Sequence, residues 1–327
     1  MSKIGFGGYR VSTKSEEHIK ALKHALRKGG HVIATSSNYT DGESEKLIGE
    51  VLADYYGDNK PLIISKVGYL QGQNLVKADK FQEDLVIISE SLKHSIHPDF
   101  IEDQIQATLL RLKCESLDVY LLHNPEYFLK TDGSTKEEFY RRIAVAFNKL
   151  EELVERGLIK SYGISSNTCV DPREDATSTD LDTVYNIAKK IKEDNHFDWI
   201  QFPMNMIEMG ALERQYAGVN LIDRAKQYNI KTMINRPLNA FSDHGLLRLA
   251  SYKVEDKYGD KDYADEVFNT GVKTLCDKWL EVREDEEDHL FDLPLMKQVN
   301  TSWNKQHSKD AVDQIFMGYF FPLVANV

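Results

Sequence analysis

The stretch from His31 to Lys66 constrains this chain more than any other. Val32 and Ile33 read as a short buried strand, Gly42 to Leu52 as a helix, and Leu62 to Ser65 as the next parallel strand. That βαβ unit delivers a phenol, Tyr39, and an amine, Lys66, just past the carboxyl ends of two neighbouring strands, where α/β folds put their chemistry. A phenol becomes a useful proton donor near neutrality when a cation beside it stabilises the phenolate. Taken alone, the pair is more simply a loop cap and a solvated strand end.

The alternation continues on both sides. Lys3 to Arg10 reads as a first strand whose Gly5, Gly7 and Gly8 permit close approach, and His18 to Leu26 as a helix that Gly29-Gly30 ends. Residues 71 to 80 read as a polar loop, and Glu83 to Ser95 as helical or partly extended. Ile101, Ile105, Leu109 and Leu112 mark one face of a helix, followed by the strand Leu117 to His123, which Asn124-Pro125 stops. Ile143, Phe147, Leu150 and Val154 mark the next helix, closed by Gly157, before the strand Ile159 to Ile164. A helix from Leu181 to Lys192, a strand from Phe197 to Phe202, a helix from Gly218 to Gln227 and a strand from Ile230 to Ile234 complete a seventh repeat. So regular a rhythm predicts an α/β fold of the (β/α)8 TIM barrel kind rather than an open sheet.

Beyond Ala240 the rhythm breaks. Val267 to Glu281 and Ala311 to Phe321 have helical patterns, Glu284 to Asp288 is an acidic run, and an eighth strand is not evident. We therefore expect a single barrel domain over 1–327, with 240–327 an atypical, inserted or truncated C-terminal part.

With 327 residues the chain is long enough for one barrel with insertions, or for two domains. A net charge of −11 argues against nucleic acid or an anionic membrane surface as partner. No long apolar run or signal peptide is visible, which points to the cytoplasm. Cys114, Cys169 and Cys276 lack metal-ligand spacing and read as reduced packing thiols. A metal-dependent hydrolase needs converging ligands, and His123 is the one histidine at a predicted strand end. No metal is expected.

Tyr39, Lys66, His123, Ser165, Gln201 and Arg236 all fall at or just beyond the carboxyl ends of successive predicted strands. In a closed barrel those ends share one mouth, so one active site accounts for all six. Here the sequence resembles the aldo-keto reductases. The matching blocks are Ile4 to Tyr9, Ile33 to Gly49 with Tyr39, Gly42 and Glu45, Ile63 to Lys66, Leu109 to His123, Leu150 to Asn167, Ile200 to Asn205, and Pro237-Leu238.

That resemblance implies a barrel that binds NADP(H) and transfers hydride between the nicotinamide and a small-molecule carbonyl or sugar. Tyr39 would be the proton donor, Lys66 the cation that lowers its pKa, and His123 the donor that orients the carbonyl oxygen. Ser165, Ser166 and Gln201 would hold the nicotinamide carboxamide over a floor of Gly7, Gly8 and Tyr9.

Three departures stand out. Ala34 occupies the place of the family's catalytic aspartate, which leaves Lys66 without an evident counter-ion. Asp41 and Glu43 are nearby acids that could stand in. Asn235-Arg236-Pro237-Leu238 has no ring to stack on the nicotinamide, and its arginine either reaches a cofactor phosphate or pairs with an acidic neighbour. The family's adenosine-phosphate clamp is not recognisable after Ala240. Two readings follow: a reductase with impaired or altered catalysis, or a degenerate member that binds a cofactor or partner without turnover.

Overall fold

The computed structural model describes residues 4–55, 57, 60–242 and 245–249. The helices expected near 267–281 and 311–321, the acidic run, Cys276 and any eighth strand lie outside the described residues. The chain divides into two compact units, residues 1–240 and 241–327. All the elements named below belong to the first.

Short connections join β1 (Phe6–Gly7), α1 (Glu16–Arg27), β2 (Val32–Ala34), α2 (Glu43–Ala53) and β3 (Leu62–Val67). A small antiparallel sheet follows, made of β4 (Tyr69–Leu70), β5 (Val86–Ser89) and β6 (Leu92–His94). Alternation then resumes with α3 (Pro98–Leu112), β7 (Leu117–His123), α4 (Lys136–Glu155), β8 (Ile159–Ser165), α5 (Leu181–Ile191), β9 (Phe197–Pro203), α6 (Leu221–Gln227) and β10 (Lys231–Asn235).

Local chemistry explains most of the boundaries. Thr135, Asp180 and Asn220 cap α4, α5 and α6 by accepting from the backbone N–H groups of Glu138, Thr183 and Asp223 at 3.2, 2.8 and 2.8 Å. Asn220 is why α6 begins at Leu221 rather than at Gly218. Residues 83 to 95 form a hairpin, not a helix, because the β-branched run Val86-Ile87-Ile88 pairs with Leu92–His94. The expected polar loop at 71 to 80 is wound into 3-10 turns over Gly72–Lys80.

Seven strands pair in the order β1-β2-β3-β7-β8-β9-β10, every neighbour parallel. Because successive side chains on a strand point to opposite faces, the sheet has two interiors. Ile33, Tyr120, Leu122, Tyr162, Ile164 and Phe202 pack in the large core with the helices. Ile64, Val119 and Leu121, flanked by Val32, Ala34, Leu62, Trp199 and Met233, form a smaller one on the other face. Among the described residues, no helix is long and apolar enough to cross a membrane. Cys114 and Cys169 are free thiols, Cys169 buried.

Candidate active site

The strand period that places Ile64 and Leu121 in the smaller core also places Lys66 and His123, two residues further on, on the same face at the carboxyl ends. Register then sets a row across the sheet: His123 pairs with Ser165, and Ser165 with Gln201. Five of the six predicted strand-end residues thus meet at one end of the sheet, with Tyr39 reaching in from the β2–α2 connection.

Lys66 Nζ stands 3.2 Å from the Tyr39 hydroxyl and 4.7 Å from the centre of its ring. The connection that carries Tyr39 is strained: Thr40, Asp41 and Gly42 all have positive φ, of 49, 57 and 84°. Only glycine takes such a turn without cost, and a Cβ at residue 42 would lie 2.7 Å from Gln73 Nε2. Asp41 holds the turn by accepting from Gln73 N at 2.9 Å.

Ala34 leaves Lys66 without a carboxylate. Its ammonium donates instead to the Thr35 carbonyl oxygen, at 2.7 Å. Neither acid considered from the sequence replaces the aspartate, since Asp41 serves Gln73 and Glu43 bonds Thr13 and Lys46. Glu45 is the carboxylate whose field reaches Lys66, but it is already bonded to Ser65 Oγ at 2.5 Å and Arg111 Nε at 2.7 Å. Burial outweighs that field and lowers the Lys66 amine to about 7. Burial also raises the Tyr39 phenol, so the lowering that the resemblance assigned to Lys66 is not what this site shows.

His123 sits in a ring of groups that the sequence did not single out. Its Nδ1 lies 3.0 Å from Ser36 Oγ, and its carbonyl accepts from His94 Nε2 at 2.7 Å. Its ring meets Tyr39 and Tyr69 edge-on, at 5.8 and 4.8 Å between centres. Asn124 Nδ2 donates to the Tyr69 hydroxyl at 2.6 Å. Burial first, then the neighbouring Lys66 and His94, push His123 well below the usual histidine range; burial lowers His94 to about 4. Both imidazoles are neutral at pH 7. A signal for this cluster existed in Tyr69, three residues past Lys66, and in the serines just before Tyr39.

The other half of the row is built from amides and hydroxyls. Ser165 Oγ donates to Gln201 Oε1 at 2.8 Å, and both residues are buried. Glu126, also missed in the sequence, accepts from the Asn167 backbone N–H at 2.7 Å and is raised to about 7 by burial. Arg236 pairs with Glu208 at 2.5 Å, the kind of acidic neighbour that was one of its two sequence alternatives, and donates to Asn167 Oδ1 at 3.2 Å. Pro237 and Leu238 are exposed beyond it. At the opposite edge Gly7 and Tyr9 are exposed, whereas Gly8 is buried, where a Cβ would lie 2.5 Å from Ser44 Oγ. The close approach at Gly8 is therefore made by α2.

The Aldo/keto reductase family model matches residues 3–309. The chain belongs to that family. Its α/β architecture is accordingly that of the family's (β/α)8 barrel, seven of whose parallel strands are among the described residues. Aldo-keto reductase family 1 member A1 of Gallus gallus is 28% identical over 170 residues, which are 50% of this chain and 45% of that protein. The NADPH-dependent D-xylose reductase of Candida boidinii is 27% identical over 179 residues, 51% of this chain and 48% of that protein. The chain thus spans about half the length of the curated relatives it matches. Among solved structures, the aldo-keto reductase AKR11C1 from Bacillus halodurans, in its holo form, aligns with a TM-score of 0.49 at 18% identity, covering 81% of this chain and 72% of that one.

Proposed function

We propose that this chain is an NADP(H)-dependent oxidoreductase that moves hydride between the nicotinamide and the carbonyl carbon of an aldehyde, ketone or sugar. The observation that carries this reading is Lys66 Nζ at 3.2 Å from the Tyr39 hydroxyl, with the His123 ring against the same phenol. Proton donor, cation and orienting imidazole stand together at adjoining strand ends, on the face away from the helices.

The donor set suits a nicotinamide carboxamide. Gln201 Oε1 is taken by Ser165 and Asn167 Oδ1 by Arg236, which leaves the Nε2 and Nδ2 hydrogens of these side chains as donors for a carbonyl oxygen. Ser166, expected from the sequence to join them, is fully buried and spends its hydroxyl on Thr179 Oγ1 at 3.1 Å while accepting from the Thr168 N–H at 3.2 Å, so it is not among these donors. Gly7, where an added Cβ meets nothing within 4 Å, and the exposed Tyr9 leave a floor beside Tyr39. Arg236 orients Asn167.

When bound, NADPH supplies the hydride. Tyr39 gives its proton to the substrate oxygen, and Lys66 offsets the charge of the phenolate left behind. Because burial lowers the Lys66 amine to about 7, that cation is less firmly held at neutral pH than an exposed lysine's. Catalysis is slower here than with an aspartate at residue 34.

Ala34 also favours a second reading, a site that binds its cofactor without turnover. Titration of the full chain with NADPH and NADH, followed by nucleotide fluorescence, and then turnover of a nitrobenzaldehyde, separates the two. Tight NADPH binding with turnover supports the enzyme. Binding without turnover leaves the second reading, and no binding of either nucleotide removes both.

A further inference from the structure

His123 is the last residue of β7, and its main chain must be held on both sides if its ring is to stay against the Tyr39 phenol. The β8 side is regular: His123 pairs with Ser165, and the Asn124 N–H donates to the Ser165 carbonyl at 2.7 Å. The β3 side is not. That ladder ends at Val67 and Leu122, and the chain leaves β3 at Gly68 to build the small antiparallel sheet. A buried carbonyl at such a break needs a donor from elsewhere. His94, which pairs with Tyr69 in the small sheet, supplies it through Nε2 at 2.7 Å. A carbonyl oxygen can only accept, so the single ring proton of the neutral His94 is on Nε2. The His123–Asn124 peptide is thus pinned twice, its N–H by β8 and its C=O by His94.

The backbone leaves room for this bond. A Cβ at Gly68 would lie 2.5 Å from His94 Nε2 and 2.6 Å from the His123 carbonyl oxygen, so any larger residue there drives the two apart. Gly68 is itself held, its carbonyl accepting from the Ser95 N–H at 2.8 Å. His94 is 1% exposed, and the Tyr69 and Tyr127 rings stand 5.5 and 5.7 Å from its own. Just past the pinned carbonyl the chain turns sharply, with Asn124 at a φ of 51°. We propose that His94 is a positioning residue for the proton-transfer centre: by holding the His123 carbonyl it fixes the plane of the last β7 peptide, and with it the direction of the imidazole toward Tyr39 and a bound carbonyl. The role in the reaction rests on the oxidoreductase reading; the hydrogen bond does not. The insertion between β3 and α3 thereby acts on the chemistry through His123.

Two measurements on the full chain test this. The first is a long-range proton–nitrogen NMR correlation with nitrogen-15 histidine at neutral pH, His94 being assigned from the signal lost in His94→Gln. A neutral Nε2–H ring is expected; an Nδ1–H or doubly protonated ring overturns the bond and the proposal with it. The second is steady-state reduction of a nitrobenzaldehyde by NADPH. His94→Phe keeps a buried ring and removes the donor, and should lower kcat about tenfold with KM and NADPH affinity within about twofold, because a misdirected imidazole costs most in the transition state. Gly68→Ala, which drives the same two atoms apart, should reproduce that loss. His94→Gln, whose amide N–H can stand in for Nε2–H, should recover most of it. Val86→Ala loosens the small sheet opposite His94 but leaves the bond, so it should lower the urea midpoint and not kcat. An unchanged kcat in His94→Phe and Gly68→Ala, an equal loss in Val86→Ala, or no recovery in His94→Gln overturns the positioning role. No turnover in the unmodified protein is a different failure: it removes the oxidoreductase reading, and the positioning role falls with it whatever the NMR result.

Discussion

The two halves of the strand-end row solve the same problem in opposite ways. On the β8–β10 side the cation is Arg236, and it is matched by the Glu208 carboxylate at 2.5 Å, with Asn205 bonded to Glu208 and to the Arg236 carbonyl. On the β2–β3–β7 side the cation is Lys66, with a backbone carbonyl and a phenol as its partners. A guanidinium stays charged under any condition a protein meets, so burying it demands a counter-ion; an amine can lose its proton instead. The difference teaches that Ala34 is tolerable beside a lysine and would not be beside an arginine. Its cost falls on the charge state, not on the fold.

The largest expected effect tests whether the lysine side is chemical at all. Tyr39→Phe should lower turnover by about 10²–10⁴, the range of a lost general acid, while NADPH affinity holds. An unchanged rate would mean that the roles assigned to this half are wrong. Next comes a second guanidinium, Arg111, paired with the fully buried Glu45. Glu45→Leu should cost roughly 3 kcal/mol in urea unfolding, because Arg111 cannot discharge. A loss under about 1 kcal/mol would remove the contrast between the two cations.

Ala34→Asp converts the lysine side to the arginine side's solution. It should raise carbonyl reduction about tenfold, equivalent to ~1.4 kcal/mol of barrier. The pH profile sharpens this further. Reduction needs the Lys66 cation, so the rate should fall as pH rises above about 7, and in Ala34→Asp that fall should move to higher pH. Stability runs the other way. The folded chain binds fewer protons at Lys66 than the unfolded one between about 7 and 10.5, so the Lys66 contribution to folding grows with pH across that window. A reduction rate flat from about pH 6 to 9 would show that Lys66 does not titrate there. The smallest effect is expected from Arg236→Ala, which should change NADPH affinity by less than about threefold and cost about 1 kcal/mol of stability. A tenfold loss of affinity would make Arg236 a phosphate ligand after all.

Much of this molecule was legible in its sequence. The strands Leu117–His123 and Phe197–Pro203 and the helices Pro98–Leu112 and Leu181–Ile191 follow the apolar periodicity to within a residue or so, because period and caps are local properties. The hairpin at 86–94 was harder to read, because a short apolar run does not by itself distinguish strand from helix. Tyr39, Lys66, His123, Ser165 and Gln201 could be placed in one site, since strand ends are visible as breaks in the pattern and parallel strands bring them to one edge.

What the sequence by itself determined, then, is the alternation of strands and helices, the family, and which polar side chains stand at the strand ends. Tertiary structure alone decided their partners: Thr35 O and not Asp41 or Glu43 for Lys66, Ser36 for His123, and Glu208 for Arg236. Periodicity is written residue by residue along the chain. A hydrogen bond or a shifted pKa depends on which atoms lie within about 3 Å and on how much water is excluded, and both are set only when separate strands come together.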